Sequence, residues 1–208
     1  MSNLDESIDA AAAAVKAGAA VVYPTETVYG LGADGTDADA VERVFELKGR
    51  SRDKPLSIGV PDVDAAREYT RLTSFDADFM AEFLPGPVTV VVERGSQLPD
   101  VLTAGGDRVG VRVPDHEVAL DFFRRADCPV TATSANRSGA PSVTHPDQLD
   151  ATLKDSVGAV IDAGEAPGGT GSTVVDPSRN VIHRRGAMAD AIETWLTDHV
   201  GESPTVED

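Results

Sequence analysis

Four cations lie close together in residues 48–56, which read KGRSRDKPL. They are Lys48, Arg50, Arg52 and Lys54, in a chain with only 18 Lys and Arg against 35 Asp and Glu. Lys48 and Arg50 are close enough to the end of a predicted helix to interact with its dipole, but the other two lie beyond it. The alternative is a solvated charged loop. A chain that gathers its few cations in one place is predicted to bind an anion there.

A second polar segment follows a predicted buried strand. Residues 134–145 read SANRSGAPSVTH and begin with Ser134 and Asn136. Such residues often form Asx or Ser turns at the start of a surface loop. Small hydroxyl and amide groups at the end of a strand also make a natural binding rim. The segment is therefore a candidate second side of the anion site.

Two glycine-rich stretches resemble nucleotide-binding motifs. Residues 30–35 match G-x-G-x-x-G, but polar residues separate them from the preceding strand, and the acidic residue about 20 positions on, Asp53, lies within the cation stretch. This match is weak evidence for a dinucleotide site. Residues 168–173 (GGTGST) lack the lysine of a Walker A motif and precede a strand. Their glycines allow either a tight connection or the close approach of backbone N–H groups and Ser172 to a ligand.

The sequence shows no obvious protein nucleophile and no metal-ligand spacing. The four histidines are scattered along the chain, and the single cysteine, Cys128, reads as a small buried residue. No acid pair and no Ser-His-Asp order stands out. The residues therefore predict a cationic, hydroxyl-rich anion site. Such a site suits an enzyme that positions phosphates and lets two substrates react with each other.

Length and charge limit the class of protein. A chain of 208 residues is large enough to bury a core, and we expect one catalytic domain over residues 1–200 and a disordered acidic tail over 201–208. The acidic N-terminus is not a secretory signal, and no apolar run approaches the roughly 20 residues of a bilayer span. We expect a cytoplasmic protein that does not bind membranes. The net charge of −17 is spread along the chain, which suggests a salt-adapted (halophilic) organism and argues against nucleic acid as the main partner.

The predicted elements alternate between helices and strands. Apolar periodicity, caps and breakers predict helices at 4–16, 37–48, 63–69, 75–83, 118–126 and 188–199, with a short helix before residue 159. Strands are predicted at 20–23, 56–60, 88–93, 109–113, 129–133, 159–162, 174–176 and 181–184, the last two forming a hairpin. The hairpin requires some antiparallel pairing. We therefore predict a three-layer α/β domain with a twisted mixed β-sheet flanked by helices.

Six segments, PTETVYGLG, KGRSRDKPL, LPGPVTVVVE, VGVRVP, TSANRSGAPS and STVVD, occur in this order. The chain thereby resembles the YrdC-like threonylcarbamoyl-AMP synthase family, in its single-domain form, from about residue 21 to residue 186. Members condense L-threonine, bicarbonate and ATP to threonylcarbamoyl-AMP and release pyrophosphate. This reaction is the first step toward the t6A modification of tRNA.

The resemblance implies a role for each matching position. Lys48 and Arg50 would be catalytic, and Mg²⁺ would be held mainly through phosphates. On the threonine side the implied residues are Thr27, Tyr29, Arg112 and Ser172. On the ATP side they are Lys48, Arg50, Lys54, Ser134, Asn136, Ser142 and Arg184.

The chain departs from the family pattern at two places. Many members have histidine where this chain has Gly59. The usual L-R-P-G is His183-Arg184-Arg185-Gly186 here, which leaves open whether Arg184 or Arg185 contacts the nucleotide.

The resemblance also implies partners and rivals. The product would pass to a tRNA threonylcarbamoyl-transfer complex, and direct tRNA binding is expected to be weak or absent. Three rivals stay open. They are a paralogue of the same fold without synthase activity, a domain of hydrogenase-maturation carbamoyltransferases, and a non-enzymatic RNA-binding protein.

Overall fold

The structure, a computed structural model, describes residues 3–168 and 171–207 and alternates helices with short strands. The helices are α1 (Asn3–Lys16), α2 (Ala38–Lys48), α3 (Val63–Tyr69), α4 (Ser74–Phe83), α5 (Glu117–Ala126), α6 (Ala151–Ser156) and α7 (Ala189–Val200). The strands are β1 (Val21–Tyr23), β2 (Gly30–Gly32), β3 (Ser57–Gly59), β4 (Thr70–Arg71), β5 (Val88–Arg94), β6 (Arg108–Arg112), β7 (Val130–Ser134), β8 (Ala159–Val160), β9 (Thr173–Asp176), β10 (Val181–Arg184) and β11 (Thr205–Val206). Most of these elements lie where the apolar pattern predicts them.

The described strands form one mixed sheet. Their order is β11-β10-β9-β5-β6-β3-β7-β2-β1-β8, and β4 pairs with β5. β5 is central, with β6 antiparallel on one side and β9 parallel on the other. β9 and β10 form the antiparallel hairpin that the sequence predicts. The mixed pairing brings the ends of β6, β7 and β10 close to the connection between β1 and β2.

Two separate apolar cores lie on the two faces of the sheet. Alternate residues of β1 enter different cores, with Val21 in one and Val22 in the other. α1 and α5 cover the first face, where Phe122 is buried, and α2 and α4 cover the second, where Phe45 and Phe79 are buried. Each such side chain contributes about 1.5–3 kcal/mol of transfer free energy on burial. The predicted three-layer α/β fold is confirmed. Within the described residues, no helix has both the length and the apolar character needed to cross a bilayer.

β2 is a strand that the sequence pattern does not predict. It pairs antiparallel with β1 and with β7. The ring of Tyr23 lies directly over it, so that a Cβ atom at Gly30 would be 2.6 Å from Tyr23 Cζ and one at Gly32 would be 2.9 Å from Tyr23 Cε1. Close packing of an aromatic ring therefore explains these glycines. The G-x-G-x-x-G match is part of an antiparallel sheet and does not form a phosphate loop.

The C-terminal residues differ from the expected disordered tail. Thr205–Val206 form β11, parallel to β10 at the edge of the sheet. The N–H of Thr205 donates to the carbonyl of Asn180, and the carboxylate of Glu207 lies 2.5 Å from Nδ1 of His183. An edge strand presents unpaired backbone groups, and the tail pairs with them. The final residue, Asp208, lies outside the described residues.

Candidate active-site cavity

A cavity of about 680 Å³ lies where the β1–β2 connection, the loop after α2, strands β5 to β7 and the β9–β10 hairpin meet. Its volume falls within the range of about 300–1,000 Å³ that is usual for small-molecule sites. Lys48 and Asn136 do not line it. The other nine residues that the family resemblance implies do line it, namely Thr27, Tyr29, Arg50, Lys54, Arg112, Ser134, Ser142, Ser172 and Arg184.

The cavity is cationic although the protein is strongly acidic. Its described lining contains two carboxylates and six cations, an excess of four positive charges in a chain of net charge −17. Burial lowers the pKa of Arg184, and repulsion from Arg112 and Arg50 lowers it further. An anion bound among these guanidinium groups would relieve that repulsion. The six cations are Arg50, Lys54, Arg108, Arg112, Arg179 and Arg184.

The turn after α2 directs Arg50 into the cavity. Gly49 ends the helix with a left-handed φ of +59°, and the N–H of Arg50 donates back to a carbonyl of the last turn. The guanidinium of Arg50 donates to the carbonyls of Lys54 and Pro55, each at 3.0 Å. Burial lowers the pKa of Arg50. The loop therefore fixes this cation at the cavity wall, with the side chain of Lys54 beside it.

Two neighbouring cations point away from the cavity. Arg52 is exposed and forms an ion pair with Glu42 of α2, so the predicted cation cluster is narrower than the sequence suggests. Arg185 forms ion pairs with Asp190 and Glu193 of α7. Arg184, in contrast, lines the cavity. Of the two arginines between which the sequence leaves the nucleotide contact open, Arg184 is thus the one at the cavity.

Lys48 lies behind the cavity wall, away from the place of the expected phosphate contact. Its side chain is buried, and its ammonium donates to the carbonyls of Ser134 and Asn136, the second at 2.7 Å. The N–H of Ser138 donates in return to the carbonyl of Lys48 at 2.8 Å. Burial, followed by repulsion from Arg50, lowers the pKa of Lys48 to about 8. Lys48 therefore fixes the loop after β7 to the end of α2.

The loop after β7 contributes hydroxyl groups to the cavity. Ser134, at the end of β7, and Ser142, eight residues further on, both line it. Asn136 closes the loop between them, because its side-chain amide donates to the carbonyls of Arg137 (2.8 Å) and Ala140 (2.7 Å). In this structure Asn136 shapes the loop and does not face the cavity.

Arg112 lies at the end of β6 and is nearly buried. Its Nη2 atom donates to the hydroxyl of Thr27 at 3.1 Å and lies 2.9 Å from a carboxylate oxygen of Glu26. Among the described residues, Nε of Arg112 is buried and has no hydrogen-bond partner. Arg112 and Thr27 are among the residues that the family resemblance implies, whereas Glu26, which stands between Thr25 and Thr27 in the PTET segment, is not.

Two other positions, Tyr29 and Gly59, are constrained by their neighbours. The hydroxyl of Tyr29 donates to the carbonyl of Gly164 (2.7 Å) and accepts from the N–H of Ala163 (3.1 Å), so it is occupied by backbone groups. At Gly59, a Cβ atom would lie 2.6 Å from the ring of Phe123. Phe123 therefore fills the space into which a side chain at position 59 would extend.

Ser172 lies at the cavity wall between Thr89 of β5 and Arg184 of β10. Its hydroxyl lies 2.7 Å from that of Thr89 and accepts from Nη2 of Arg184 at 3.0 Å. Its carbonyl accepts from Nε of Arg184 at 3.0 Å. Ser172 is thus held from two sides at the wall of the cavity. Gly169 and Thr170 of the glycine-rich segment lie outside the described residues.

β6 carries a cation that sequence reasoning missed. Arg108 lines the cavity and forms an ion pair with the buried Asp176 of β9. Because alternate strand residues share a face, Arg108, Gly110 and Arg112 form one row. Ser57 Oγ lies 2.4 Å from the position that a Cβ atom would take at Gly110, so the row has no room for a third side chain. An Arg-x-Gly-x-Arg pattern on a predicted strand is the signal that identifies this row.

Metal-ion chemistry and thiol chemistry would each need suitable side chains at the cavity lining. Within residues 3–168 and 171–207, no group of three or more His, Cys, Asp or Glu side chains is placed to hold a metal ion. Cys128 lies away from the described cavity lining, and burial raises the pKa of its thiol to about 12. Its thiol is therefore protonated at neutral pH.

Comparisons with known proteins show the family to which the chain is similar. A family model for Sua5, YciO and YrdC proteins, described as telomere recombination, matches residues 13–186. The threonylcarbamoyl-AMP synthase of Pyrococcus abyssi is 40% identical over 167 residues, which are 80% of this chain and 49% of that protein. The synthase of Bacillus subtilis is 36% identical over 84% of this chain and 51% of its own length. The human synthase is 34% identical over 96% of this chain and 74% of its own length.

Solved structures of Sua5 and YciO proteins also superpose on this chain. P. abyssi Sua5 complexed with L-threonine superposes with a TM-score of 0.85 at 35% identity, covering 96% of this chain and 58% of that one. Escherichia coli YciO superposes with a TM-score of 0.73 at 24% identity, covering 81% and 82% of the two chains, and it supports the fold alone. The chain spans about half the length of the P. abyssi and B. subtilis relatives. Because the family model covers most of the chain, the protein belongs to the Sua5/YciO/YrdC family.

Proposed function

We propose that the protein is an L-threonylcarbamoyladenylate synthase, which condenses L-threonine, bicarbonate or CO₂, and ATP to threonylcarbamoyl-AMP and pyrophosphate. The observation that carries this proposal is the cationic cavity, with six cations in a protein of net charge −17. A triphosphate is the kind of ligand that such a concentration of guanidinium and ammonium groups suits. Relatives that are 40% and 34% identical to this chain are named threonylcarbamoyl-AMP synthases.

The nucleotide would occupy the side of the cavity that the loop after α2 borders. Arg50, Lys54 and Arg184 line that side and would hold the phosphates. Ser134 and Ser142 would donate to the adenylate part from the loop after β7. Lys48 and Asn136 would act through the shape of that loop, since both bond its carbonyls in this structure.

Threonine would occupy the side bordered by β6 and the β1–β2 connection. Arg112 would pair with its carboxylate, because its guanidinium lines this side of the cavity. Thr27 and Ser172 would add hydroxyl contacts, and the ring of Tyr29 would form part of the wall. The P. abyssi structure with bound L-threonine supports an amino-acid site in a relative of this fold.

The chemistry needs positioning more than a protein nucleophile. The amine of threonine combines with bicarbonate, losing water, and a carbamate oxygen then attacks the α-phosphorus while pyrophosphate leaves. Arg50, Lys54 and Arg184 would stabilise the charge that develops on the phosphoryl oxygens. Held mainly by phosphate oxygens, Mg²⁺ would supply additional charge neutralisation, since the described residues offer no carboxylate cluster.

The distribution of charge also bears on partners. Six of the 18 Lys and Arg residues line one cavity, whereas nucleic-acid-binding proteins usually present a broad basic face. We therefore expect direct tRNA binding to be weak. The labile product would pass to a tRNA threonylcarbamoyl-transfer complex, and the reaction would take place in the cytoplasm.

An isotope experiment tests this function. The protein is incubated with L-threonine, ATP, Mg²⁺ and ¹³C-labelled bicarbonate, and the nucleotides are separated and weighed by mass spectrometry. The proposal expects an AMP adduct that carries both threonine and the label, formed in equal amount with pyrophosphate. A folded protein that forms no such adduct would contradict the proposal. If that protein also retards tRNA in a gel at low and high salt, the RNA-binding alternative is favoured.

A further inference from the structure

A group of buried polar atoms without hydrogen bonds lies behind the threonine side of the cavity. Both carboxylate oxygens of Glu26 and Nε of Arg112 are buried, and none of them has a described hydrogen bond, although Oε1 of Glu26 forms an ion pair with Arg112. Buried polar atoms usually have partners, and those that lack one commonly mark an absent ligand, water or functional constraint. Burial of these atoms without hydrogen bonds lowers the stability of the fold, which indicates that they have a functional role.

The backbone around Glu26 is held on several sides. The hydroxyl of Thr25 accepts from the N–H of Thr27 and of Val28, each at 3.2 Å, and donates to the carbonyl of Val28 at 2.6 Å. The carbonyl of Thr27 also accepts from the N–H of Gly168 at 2.9 Å. Glu26 thus stands on a rigid turn, and its carboxylate has a defined position relative to β6.

Arg112 supplies the positive charge that faces this carboxylate. Nη2 of Arg112 lies 2.9 Å from Oε1 of Glu26, and the side chains are only 10% and 16% exposed. His116, which precedes α5, also faces Glu26, but burial lowers the pKa of its imidazole, so it is neutral at neutral pH. Tyr23 is the other titratable neighbour, and burial raises the pKa of its phenol, so it too is uncharged.

The contacts of Arg112 are divided unevenly over its guanidinium. Nη2 contacts both Glu26 and Thr27, whereas Nε is buried without a described partner and Nη1 donates in no described hydrogen bond. Arg112 itself lines the cavity, and the oxygens of Glu26 are shielded from solvent. Glu26 is therefore placed to orient the guanidinium from behind and not to touch a substrate.

We propose that Glu26 is a positioning residue, which holds the guanidinium of Arg112 by Nη2 so that its Nη1 group meets the carboxylate of the amino-acid substrate. This inference rests on the proposed function. Arginine side chains carry large rotamer entropy, which an oriented ion pair reduces before the substrate binds. Removing one partner of a buried ion pair also leaves the other charge uncompensated.

The sign of one kinetic change distinguishes orientation from simple charge competition. In Glu26→Gln the side chain keeps its size and loses its charge. If Glu26 orients Arg112, the KM for threonine rises at least about tenfold while the KM for ATP stays within about twofold. If Glu26 merely competes with the substrate carboxylate for Arg112, the same variant lowers the KM for threonine, which would overturn the proposal.

A double-mutant cycle with Arg112→Lys shows whether Glu26 acts through Arg112. A lysine cannot be oriented as a planar fork, so Glu26→Gln should add little to the KM for threonine in that background. Fully additive effects, or equal increases in both KM values, would contradict the proposal. Glu26→Asp, which keeps the charge, should recover part of the loss. Glu93→Gln removes an equally charged carboxylate from the exposed Arg71–Glu93 pair and should leave both KM values unchanged.

Calorimetric titration of threonine separates this inference from the proposed function. Wild-type protein that binds threonine and turns over while Glu26→Gln behaves identically would overturn the role of Glu26 alone. Wild-type protein that neither binds threonine nor forms the adduct would overturn both. Circular dichroism of each variant confirms that the fold is retained.

Discussion

The ammonium of Lys48 lies 2.7 Å from the carbonyl of Asn136, 88 residues further along the chain. The same ammonium donates to the carbonyl of Ser134, so one buried side chain at the end of α2 holds both ends of a Ser-x-Asn segment. The two motifs that stand out in the sequence are thus joined directly. This contact places Arg50 and Ser134 on adjacent walls of one cavity.

The pKa of Lys48 predicts a pH-dependent contribution to stability. Burial lowers it from 10.5 to about 8, so between these values the unfolded chain binds a proton that the folded chain does not. The contribution of Lys48 is therefore complete above pH 10.5 and is lost as the pH falls through about 8. The free energy of unfolding of wild type relative to Lys48→Met should rise by on the order of 3 kcal/mol over this range.

Urea unfolding at a series of pH values measures this difference. Lys16→Met, at an exposed lysine of α1, serves as the matched control and should show a much smaller slope. A difference between wild type and Lys48→Met that is independent of pH would show that Lys48 keeps its proton throughout.

Arg50 and Arg52 form a matched pair of cations for mutation. Arg50 lines the cavity, whereas Arg52 is exposed and paired with Glu42. Arg50→Ala should lower kcat/KM by roughly 10²–10³, because it removes a charged contact to the phosphates in the transition state. Arg52→Ala should change it by less than about threefold. Steady-state pyrophosphate release measures both, and equal effects would place the anion site outside the cavity.

Adjacent arginines at the end of β10 provide a second comparison. Arg184 donates to the carbonyl of Ser172 and lines the cavity, while Arg185 pairs with Asp190 and Glu193 on α7. Arg184→Ala should raise the KM for ATP at least about tenfold, since a charge-assisted phosphate contact is lost. Arg185→Ala should leave that KM unchanged and lower stability by no more than about 1 kcal/mol. The reverse order of effects would reassign the nucleotide contact.

Salt should stabilise the fold. A net charge of −17 makes the folded chain repel itself in dilute buffer, and at molar salt the Debye length shrinks to about 3 Å. The melting temperature should therefore rise markedly from low to molar KCl. The measurement is a thermal melt followed by circular dichroism in each salt. A flat or falling curve would contradict the salt-adaptation hypothesis without bearing on the function.

Local patterns predicted much of the fold. The helical periodicity around Val41, Val44 and Phe45 predicted α2, and Asp37 caps it by accepting from the N–H of Asp39. β2 could not be predicted, because its glycines have no side-chain pattern and depend on a ring that packs over them from β1. The pairing of the C-terminal residues with β10 likewise depends on which backbone edge is left open, and only the assembled sheet shows this.

The sequence predicts which residues belong to the candidate site better than it predicts the direction in which their side chains point. Segments and their residue types identified Arg50, Arg112 and Ser172, which the structure brings to one cavity. The direction of a side chain depends on partners far away in the chain. Lys48 points to carbonyls of the loop after β7, and the hydroxyl of Tyr29 is taken up by backbone groups. No spacing rule within a segment contains that information.

The dependence of nucleotide cleavage on the second substrate tests the central claim most directly. Purified protein is supplied with ATP and Mg²⁺, and threonine and bicarbonate are omitted in turn while nucleotide products are separated by chromatography. A cavity that positions a carbamate against the α-phosphorus should release pyrophosphate only when both are present, with at most trace cleavage otherwise. Serine should react more slowly, because one methyl contact is worth about 1 kcal/mol or more. Release of ADP and phosphate without threonine would contradict the account and indicate a simple ATPase.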